Sequence, residues 1–319
     1  MKKIDNHVRG DYLSATTLLI MDARMAKLKS EKTKDNQRDE IIAFTEFCKK
    51  DFLDVTKEDV EDYMNDLVSK GRQPETLKIK LSILRGMAKA VDSELKCSML
   101  KDVFLGVNYG QDKVRYDEED LARLKDVDKV ISWCEKTGKL DLKLMIALAL
   151  ECAMPLRYIK NLKVSNVFVN NLGQPYIKFE TEKDNYLGET NHFVREFPLK
   201  PGTAEALNNW IGSRDSVNQE DNVFWDKWHT PYSERQIQAM LQDACREALG
   251  KDANGNYFEG FTISKLNNLA VVSMVSGGAD RAALTEQLGH SSRWINRYDS
   301  VIKDFSLSPM AYNRITVKY

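Results

Sequence analysis

The segment from Leu140 to Glu151 constrains the fold more than any other part of this 319-residue chain. Its residues, LDLKLMIALALE, are apolar on nearly every side of a helix, which is typical of a helix buried all round. The apolar run Leu144–Ala153 is far too short to span a membrane. We therefore predict a central core helix inside a domain large enough to cover it.

The hydrophobic pattern before this segment is also helical. An apolar run predicts an N-terminal helix over residues 12–25, and a lysine-rich link follows up to Lys34. Further helices are predicted over 36–55, from Thr56 to Gly71, from Pro74 onward and over 98–105. Asp59, three residues after Thr56, predicts a capping box.

Between residues 167 and 199 the pattern changes to a period of two. Three alternating stretches flank the turn at Asn170–Gly173 and a polar tip, and they predict a small antiparallel sheet: 167–169, 175–181 and 192–199. Helices resume from Thr203. We expect a mainly α fold with a small antiparallel β-sheet, divided into an N-terminal helix and linker (1–34), a helical domain (35–110) and an α+β domain with a C-terminal tail (111–319).

The charge balance limits how the chain could bind nucleic acid. With 47 Lys and Arg against 48 Asp and Glu the net charge is −1, so a nucleic-acid site must be a local patch. Residues 70–101 hold eight basic and three acidic residues, a local charge of +5. Such a run is either a solvated helix face or a DNA-contacting surface.

Cysteine and histidine spacing argues against metal chemistry. The five cysteines form no CxxC motif, and the four histidines lack ligand spacing. The first 14 residues contain no apolar region of the kind found in signal peptides. We predict reduced cysteines, no metal, no cofactor, no membrane association and a cytoplasmic location.

The order of elements resembles that of tyrosine recombinases of the phage integrase family. Gly278-Ala-Asp280 and Gln287-Leu-Gly-His290 fall at the family's spacing, Tyr298-Asp-Ser-Val301 looks like its nucleophile segment, and Pro74-Glu-Thr76 resembles a phrase of its core-binding domain. The resemblance implies that 35–110 is a helical, SAM-like core-binding domain that contacts DNA. It implies that 111–319 is a catalytic-like domain.

In that family a tyrosine attacks a DNA phosphate, and two arginines stabilise the charge that develops. Aligned without gaps, Pro155 occupies the first arginine position. Ser264 and Asn267 occupy the His-x-x-Arg positions. Arg157 lies two residues after the first position, so only a local shift would let it substitute.

The other family positions keep their residue types. His290 and Tyr298 match the histidine and the nucleophile, and Lys183 on the hairpin could be the lysine that protonates the leaving oxygen. Each could equally be structural: His290 in a turn, Tyr298 in the core and Lys183 in solvent. Losing one preorganised donor costs on the order of 10²–10³ in rate, so loss of both arginines predicts negligible cleavage.

We therefore expect no enzyme activity and a sequence-specific double-stranded DNA-binding protein on an inactive scaffold. Similarity to the recombinase-like repressors of SPβ-type prophages implies a transcriptional repressor that maintains lysogeny. The alternatives are an active or atypical recombinase or relaxase that cleaves DNA through Tyr298, and an accessory subunit that positions a true recombinase.

Ten residues are candidates for DNA contact: Lys70, Arg72, Lys78, Lys80, Arg85, Lys89, Arg157, Lys183, Lys265 and His290. The cluster Trp225-Asp-Lys-Trp228-His229 could stack on bases or pack between elements. The apolar positions of the tail after Tyr298 fit either self-association on DNA or folding back onto the same chain.

Overall fold

The computed structural model describes residues 10–109, 115–184, 190–214, 216–290, 294–305 and 317. The chain divides into two units, Met1–Val114 and Arg115–Tyr319. Among the described residues the first unit is helical, and the second combines helices with one three-stranded sheet. The predicted fold class is confirmed.

Over residues 10–109 the first unit contains five α-helices: α1 (Ala15–Ala26), α2 (Glu31–Cys48), α3 (Lys57–Ser69), α4 (Pro74–Glu94) and α5 (Met99–Val103). Asp59 and Thr56 form the predicted capping box at the start of α3. Ile20 of α1 belongs to the same hydrophobic core as Phe44 and Leu84. The N-terminal helix is thus part of this helical unit, which differs from the predicted division at residue 34.

The predicted lysine-rich link is partly helical. Ser30 is the N-cap of α2, and its side chain accepts a hydrogen bond from the Thr33 backbone N–H. The first turns of α2 carry almost no apolar residues, so the apolar pattern begins only at Ile41. The helix therefore starts a turn or more before the point that periodicity indicates.

The second unit is built around α7 (Leu140–Glu151), whose residues from Asp141 to Glu151 are all buried. It is contacted by α6 (Leu124–Thr137), α8 (Leu156–Lys160), α9 (Pro201–Gly212), α10 (Glu234–Leu249) and α11 (Ile263–Ser276). The predicted central core helix is confirmed. Two shorter helices, α12 (Arg281–Leu288) and α13 (Asp299–Phe305), follow, with a 3₁₀ turn at Trp294–Tyr298.

The sheet has the strand order β1 (Val167–Val169), β2 (Pro175–Asp184), β3 (Thr190–Pro198), all antiparallel. Ile177 pairs with Phe197, and Phe179 pairs with Arg195. Ile177, Phe179 and Phe197 are buried, so this face of the sheet lies against the core. Arg195 is therefore an arginine on the inward face of its strand.

In the parts of the chain that the structure describes, no helix is both long enough and apolar enough to cross a membrane.

Candidate nucleic-acid interface

Arg157, Arg195 and His290 come together in the second unit from three different elements, and we call them the cation cluster. The Arg157 and Arg195 guanidiniums lie 4.9 Å and 5.4 Å from the centre of the Tyr158 ring. Partial burial lowers the pKa of His290, and the charges of Arg157, Arg195 and Arg297 lower it further. The pKa of Arg195 is lowered by burial and by Arg157.

Local structure explains how the two arginines meet. Pro155 is the N-cap of α8, and its extended backbone places Arg157 in the first turn of that helix. Tyr158 is buried against Phe179 and Phe197, with ring centres 4.7 Å and 5.6 Å away. The ring is thus fixed to the inward face of the sheet, next to Arg195.

Gly289 brings His290 to the same place. Its backbone is left-handed, with φ of +69°, and it ends α12. A Cβ at this position would overlap the Arg195 guanidinium, so the glycine leaves the space that Arg195 occupies. The His290 N–H then donates to the Thr285 carbonyl at 3.0 Å, which fixes the backbone of the residue beside the guanidinium.

Among the described residues, no carboxylate forms an ion pair or a hydrogen bond with Arg157 or Arg195. Arg157 is exposed and Arg195 is half-buried. Two neighbouring guanidiniums that repel each other and lack an acidic partner are stabilised by an anion. Planar guanidiniums match the geometry of a phosphate group.

Tyr298 lies outside this cluster, in the core of the unit. Its side chain is 1% exposed, and its hydroxyl donates to Asn268 Oδ1 at 2.8 Å. Asn268 Nδ2 donates in turn to the Asp120 carbonyl at 3.0 Å. The ring packs on Tyr116, with centres 4.8 Å apart. Burial raises the pKa of Tyr298 well above its ordinary value, which favours the neutral phenol.

Trp294 contacts both regions. Its indole stacks on the His290 ring with centres 4.0 Å apart and an angle of 10°. It also meets the Tyr298 ring edge-on at 5.1 Å. The charge of Arg297 lowers the pKa of both His290 and Tyr298. The Trp294 indole thus packs against both the phenol ring and the imidazole of the cation cluster.

The positions aligned with the family's missing residues carry no cation. Ser264 is exposed on α11, and Asn267 is half-buried with no described partner for its Oδ1. Lys265 pairs with Glu259 at 3.1 Å. The backbone of Lys183 pairs with Asn191 in the β2–β3 register, but its side chain lies outside the described residues.

The predicted basic patch of the first unit separates into two groups. Three of its cations have internal partners: Lys70 pairs with Asp66 at 2.6 Å, Lys80 pairs with the buried Glu40, and Arg85 donates to the Val107 carbonyl. Three others are exposed with no ion pair among the described residues: Arg72, Lys78 and Lys89. Lys96 and Lys101, also in this patch, are exposed without an ion pair among the described residues as well, so the cations available to DNA phosphates extend along α4 and α5.

The aromatic loop after α9 also separates into packed and exposed residues. Trp225 packs against the Arg214 guanidinium at 4.0 Å and the His229 ring at 5.1 Å. Trp228 is 73% exposed, with the Lys227 ammonium 5.0 Å from its ring. Trp225 therefore stabilises the loop, whereas Trp228 faces solvent.

After α13 the tail is described only at Val317. This side chain is buried in the core of the second unit, and its N–H donates to Glu151 Oε1 at 2.7 Å. Glu151 Oε2 accepts from Thr203 Oγ1 at 2.5 Å. Burial raises the pKa of Glu151, although both hydrogen bonds oppose the rise. Val317 is thus held by its own unit.

Sequence reasoning missed Arg195, Asn268 and Trp294. Arg195 could have been found, because it shares strand parity with the apolar Phe197 and therefore belongs to an inward face. Asn268 is adjacent to the aligned Asn267, and only the fold shows which of them reaches Tyr298. Nothing in the sequence around Trp294 indicates that its indole packs against His290 and Tyr298.

The family comparison matches residues 120–301 to the phage integrase family and residues 19–92 to the family described as "Phage integrase, N-terminal SAM-like domain". The first match alone covers more than half of the chain, so the chain belongs to the phage integrase family. The resemblance to this family inferred from the sequence is confirmed. A comparison with curated proteins gives no match.

Solved structures share the fold at low sequence identity. The Tn1549 transposon integrase in complex with circular intermediate DNA is 14% identical, with a TM-score of 0.62 over 92% of this chain and 99% of that one. A lambda integrase tetramer bound to a Holliday junction is 15% identical, with a TM-score of 0.59 over 86% of this chain and 76% of that one. The fold is that of tyrosine recombinases, with a helical N-terminal domain and a catalytic domain.

Proposed function

We propose that this protein binds specific double-stranded DNA sites in the cytoplasm, does not cut them, and acts as a transcriptional repressor that maintains prophage lysogeny. The observation that carries this proposal is the separation of Tyr298 from the cation cluster. The phenol donates to Asn268 in the core, while the unpaired guanidiniums gather at His290.

Cleavage through a tyrosine needs an accessible phenol that can lose its proton and cations that stabilise the phosphate transition state. Here burial raises the pKa of Tyr298, although the charge of Arg297 opposes the rise, and the hydroxyl donates to Asn268 in the core. The phenol in this arrangement has the contacts of a core residue. DNA binding through exposed cations does not require this phenol, so the protein can bind DNA without cutting it.

DNA binding is supported by unpaired cations in both units. Arg72, Lys78 and Lys89 are exposed in the first unit, and Arg157 and Arg195 belong to the second. Phosphate contacts of this kind supply affinity and orientation, whereas base contacts supply specificity. The integrases with the same fold are described as complexes with DNA, one a dimer and one a tetramer, which supports a DNA partner and self-association on DNA.

An active recombinase is the second candidate, and one observation favours it. The cation cluster contains two guanidiniums and an imidazole, the groups that charge stabilisation would require. His290 is at its aligned position, whereas the two arginines are not. For cleavage, the Tyr298 hydroxyl would have to leave Asn268 and reach a phosphate at this cluster. Trp294, packed against both His290 and Tyr298, would have to move as well.

Genome-wide occupancy of the protein, combined with transcript levels with and without it, tests the proposal. A repressor occupies a few defined sites over promoters, and transcription from those promoters rises when the protein is removed. Occupancy confined to recombination sites, with no change in transcription, would contradict the proposal and favour an accessory or catalytic role in recombination.

A further inference from the structure

We infer that Arg195 of β3, together with Arg157 and His290, forms a binding site for a phosphate of the DNA backbone. This inference rests on the proposed function and names one place where the protein holds DNA. The second guanidinium of this site comes from Arg195, a β3 residue that does not align with any motif position of the family.

The first support is geometric. Both guanidiniums lie close to the same buried Tyr158 ring, at 4.9 Å and 5.4 Å from its centre, and Arg157 is near enough to lower the pKa of Arg195. Cations over an aromatic ring keep their N–H groups free for another acceptor. Their edges can therefore donate to the oxygens of one anion.

The second support is the missing counter-charge. Holding a half-buried arginine beside another arginine costs free energy, which an acidic residue usually offsets. Among the described residues, Arg195 has no such partner. A phosphate diester would supply the negative charge, and two guanidiniums suit its oxygens better than two ammonium groups would.

The third support is the space provided for Arg195. A Cβ at Gly289 would overlap the Arg195 guanidinium where it now lies and would displace it, and the next residue is His290. The glycine therefore permits both the end of α12 and the close approach of Arg195 to the imidazole. A bound phosphate could then contact the imidazole and the guanidiniums together.

Binding at this site also predicts a pH dependence. Among the described residues, the charged groups that act on His290 are Arg157 of α8, Arg195 of β3 and Arg297 of the 3₁₀ turn, and the neutral Trp294 stacks on its ring. Burial and these cations lower the pKa of free His290. A phosphate anion raises that pKa in the complex, so binding takes up a proton and affinity increases as the pH falls from neutral.

Arg195→Gln tests the inference, with Arg195→Lys as the conservative variant and Arg246→Gln as the matched control. Arg246 is an exposed arginine on α10 that pairs with Asp243. The probes are a promoter fragment occupied by the wild type and a mixed-sequence duplex, each titrated against pH and salt. Inorganic phosphate is titrated separately as a free anion.

We expect Arg195→Gln to weaken binding to both duplexes about tenfold. It should also lower the salt slope by about 0.9 and flatten the pH dependence. Arg195→Lys should restore the salt slope without restoring full affinity, because lysine lacks the planar fork. Arg246→Gln should leave all three quantities unchanged. If Arg195→Gln fails to fold, Arg157→Gln is expected to show the same three effects.

Wild-type affinity and pH dependence in folded Arg195→Gln would overturn the inference and leave the proposed function intact. The inference is equally wrong if Arg195→Gln abolishes binding of inorganic phosphate but leaves DNA binding unchanged, since the site would then take a free anion. If the wild-type protein binds neither duplex, the proposed function itself fails.

Discussion

The Tyr298 hydroxyl donates a hydrogen bond to Asn268 Oδ1 at 2.8 Å, and Asn268 Nδ2 donates to the Asp120 carbonyl at 3.0 Å. The chain of two bonds connects the candidate nucleophile to α11 and to the segment before α6. Because the asparagine is fixed at both ends, the phenol is held as a structural group. This relationship distinguishes a residue that stabilises the fold from one that is ready to attack DNA.

Tyr298→Phe removes the hydroxyl and leaves Asn268 Oδ1 without its donor. We expect the free energy of unfolding to fall by about 1–2 kcal/mol, because one buried hydrogen bond is lost and an acceptor is left unsatisfied. DNA affinity and repression should stay at wild-type levels. Denaturant unfolding and a binding titration on the same preparation check both statements. Lost affinity at unchanged stability would contradict the structural role.

The double variant Lys78→Gln/Lys89→Gln removes two exposed, unpaired cations of α4. We expect weaker binding to every DNA sequence and a salt slope reduced by about 1.8, at 0.9 for each lost phosphate contact. Binding titrations across a range of salt concentrations measure the slope. The matched control is Lys125→Gln/Lys129→Gln, two exposed lysines on α6. Equal effects of the two pairs would show that only overall charge matters.

Lys80→Met tests a different role for a residue of the same basic patch. Lys80 pairs with Glu40, whose side chain is only 6% exposed, so the variant leaves a buried carboxylate without its cation. We expect a loss of about 2 kcal/mol in unfolding free energy and an unchanged salt slope. Lys70→Met is the control, because its exposed pair with Asp66 should contribute less than about 0.5 kcal/mol. A lowered salt slope in Lys80→Met would show a DNA contact instead.

Deleting residues 306–319 keeps α13 intact and removes Val317. We expect a loss of about 2 kcal/mol at neutral pH, because a buried valine and the donor to Glu151 Oε1 are both removed. Burial raises the pKa of Glu151, and losing this donor raises it further. The cost of the deletion is therefore largest where Glu151 is ionised and shrinks as the pH falls through its folded pKa.

Unfolding of the full chain and the deletion variant at neutral and mildly acidic pH measures this cost. A cost independent of pH would show that Val317 does not act on the Glu151 carboxylate. Solution mass and DNA stoichiometry of the same two proteins test self-association. Unchanged stoichiometry on DNA would show that the tail has no role in assembly.

Periodicity predicted most elements because local patterns determine them. The all-apolar α7 had to be central, and the alternating stretches around residue 177 had to form a sheet. The start of α2 was misplaced because its first turns are charged and carry no apolar stripe. The local sequence thus predicted the presence of a helix or strand better than the residues at which it begins and ends.

The candidate site was only partly predictable, since its contacts are non-local. Arg157 and His290 could be named from the family motif, but Arg195 meets Gly289 from a strand more than 90 residues earlier. Sequence counting found the two family arginines missing. The fold nevertheless brings two guanidiniums together at His290, so counting motif positions underestimated the charge there.

The most direct test of the central claim is covalent trapping on a nicked suicide substrate made from a DNA site that the protein occupies. The same sample is run on a native gel, which reports binding, and on a denaturing gel, which reports a covalent bond. We expect a retarded complex on the native gel and no protein–DNA adduct on the denaturing gel. An adduct that forms with the wild type and disappears with Tyr298→Phe would contradict the central claim.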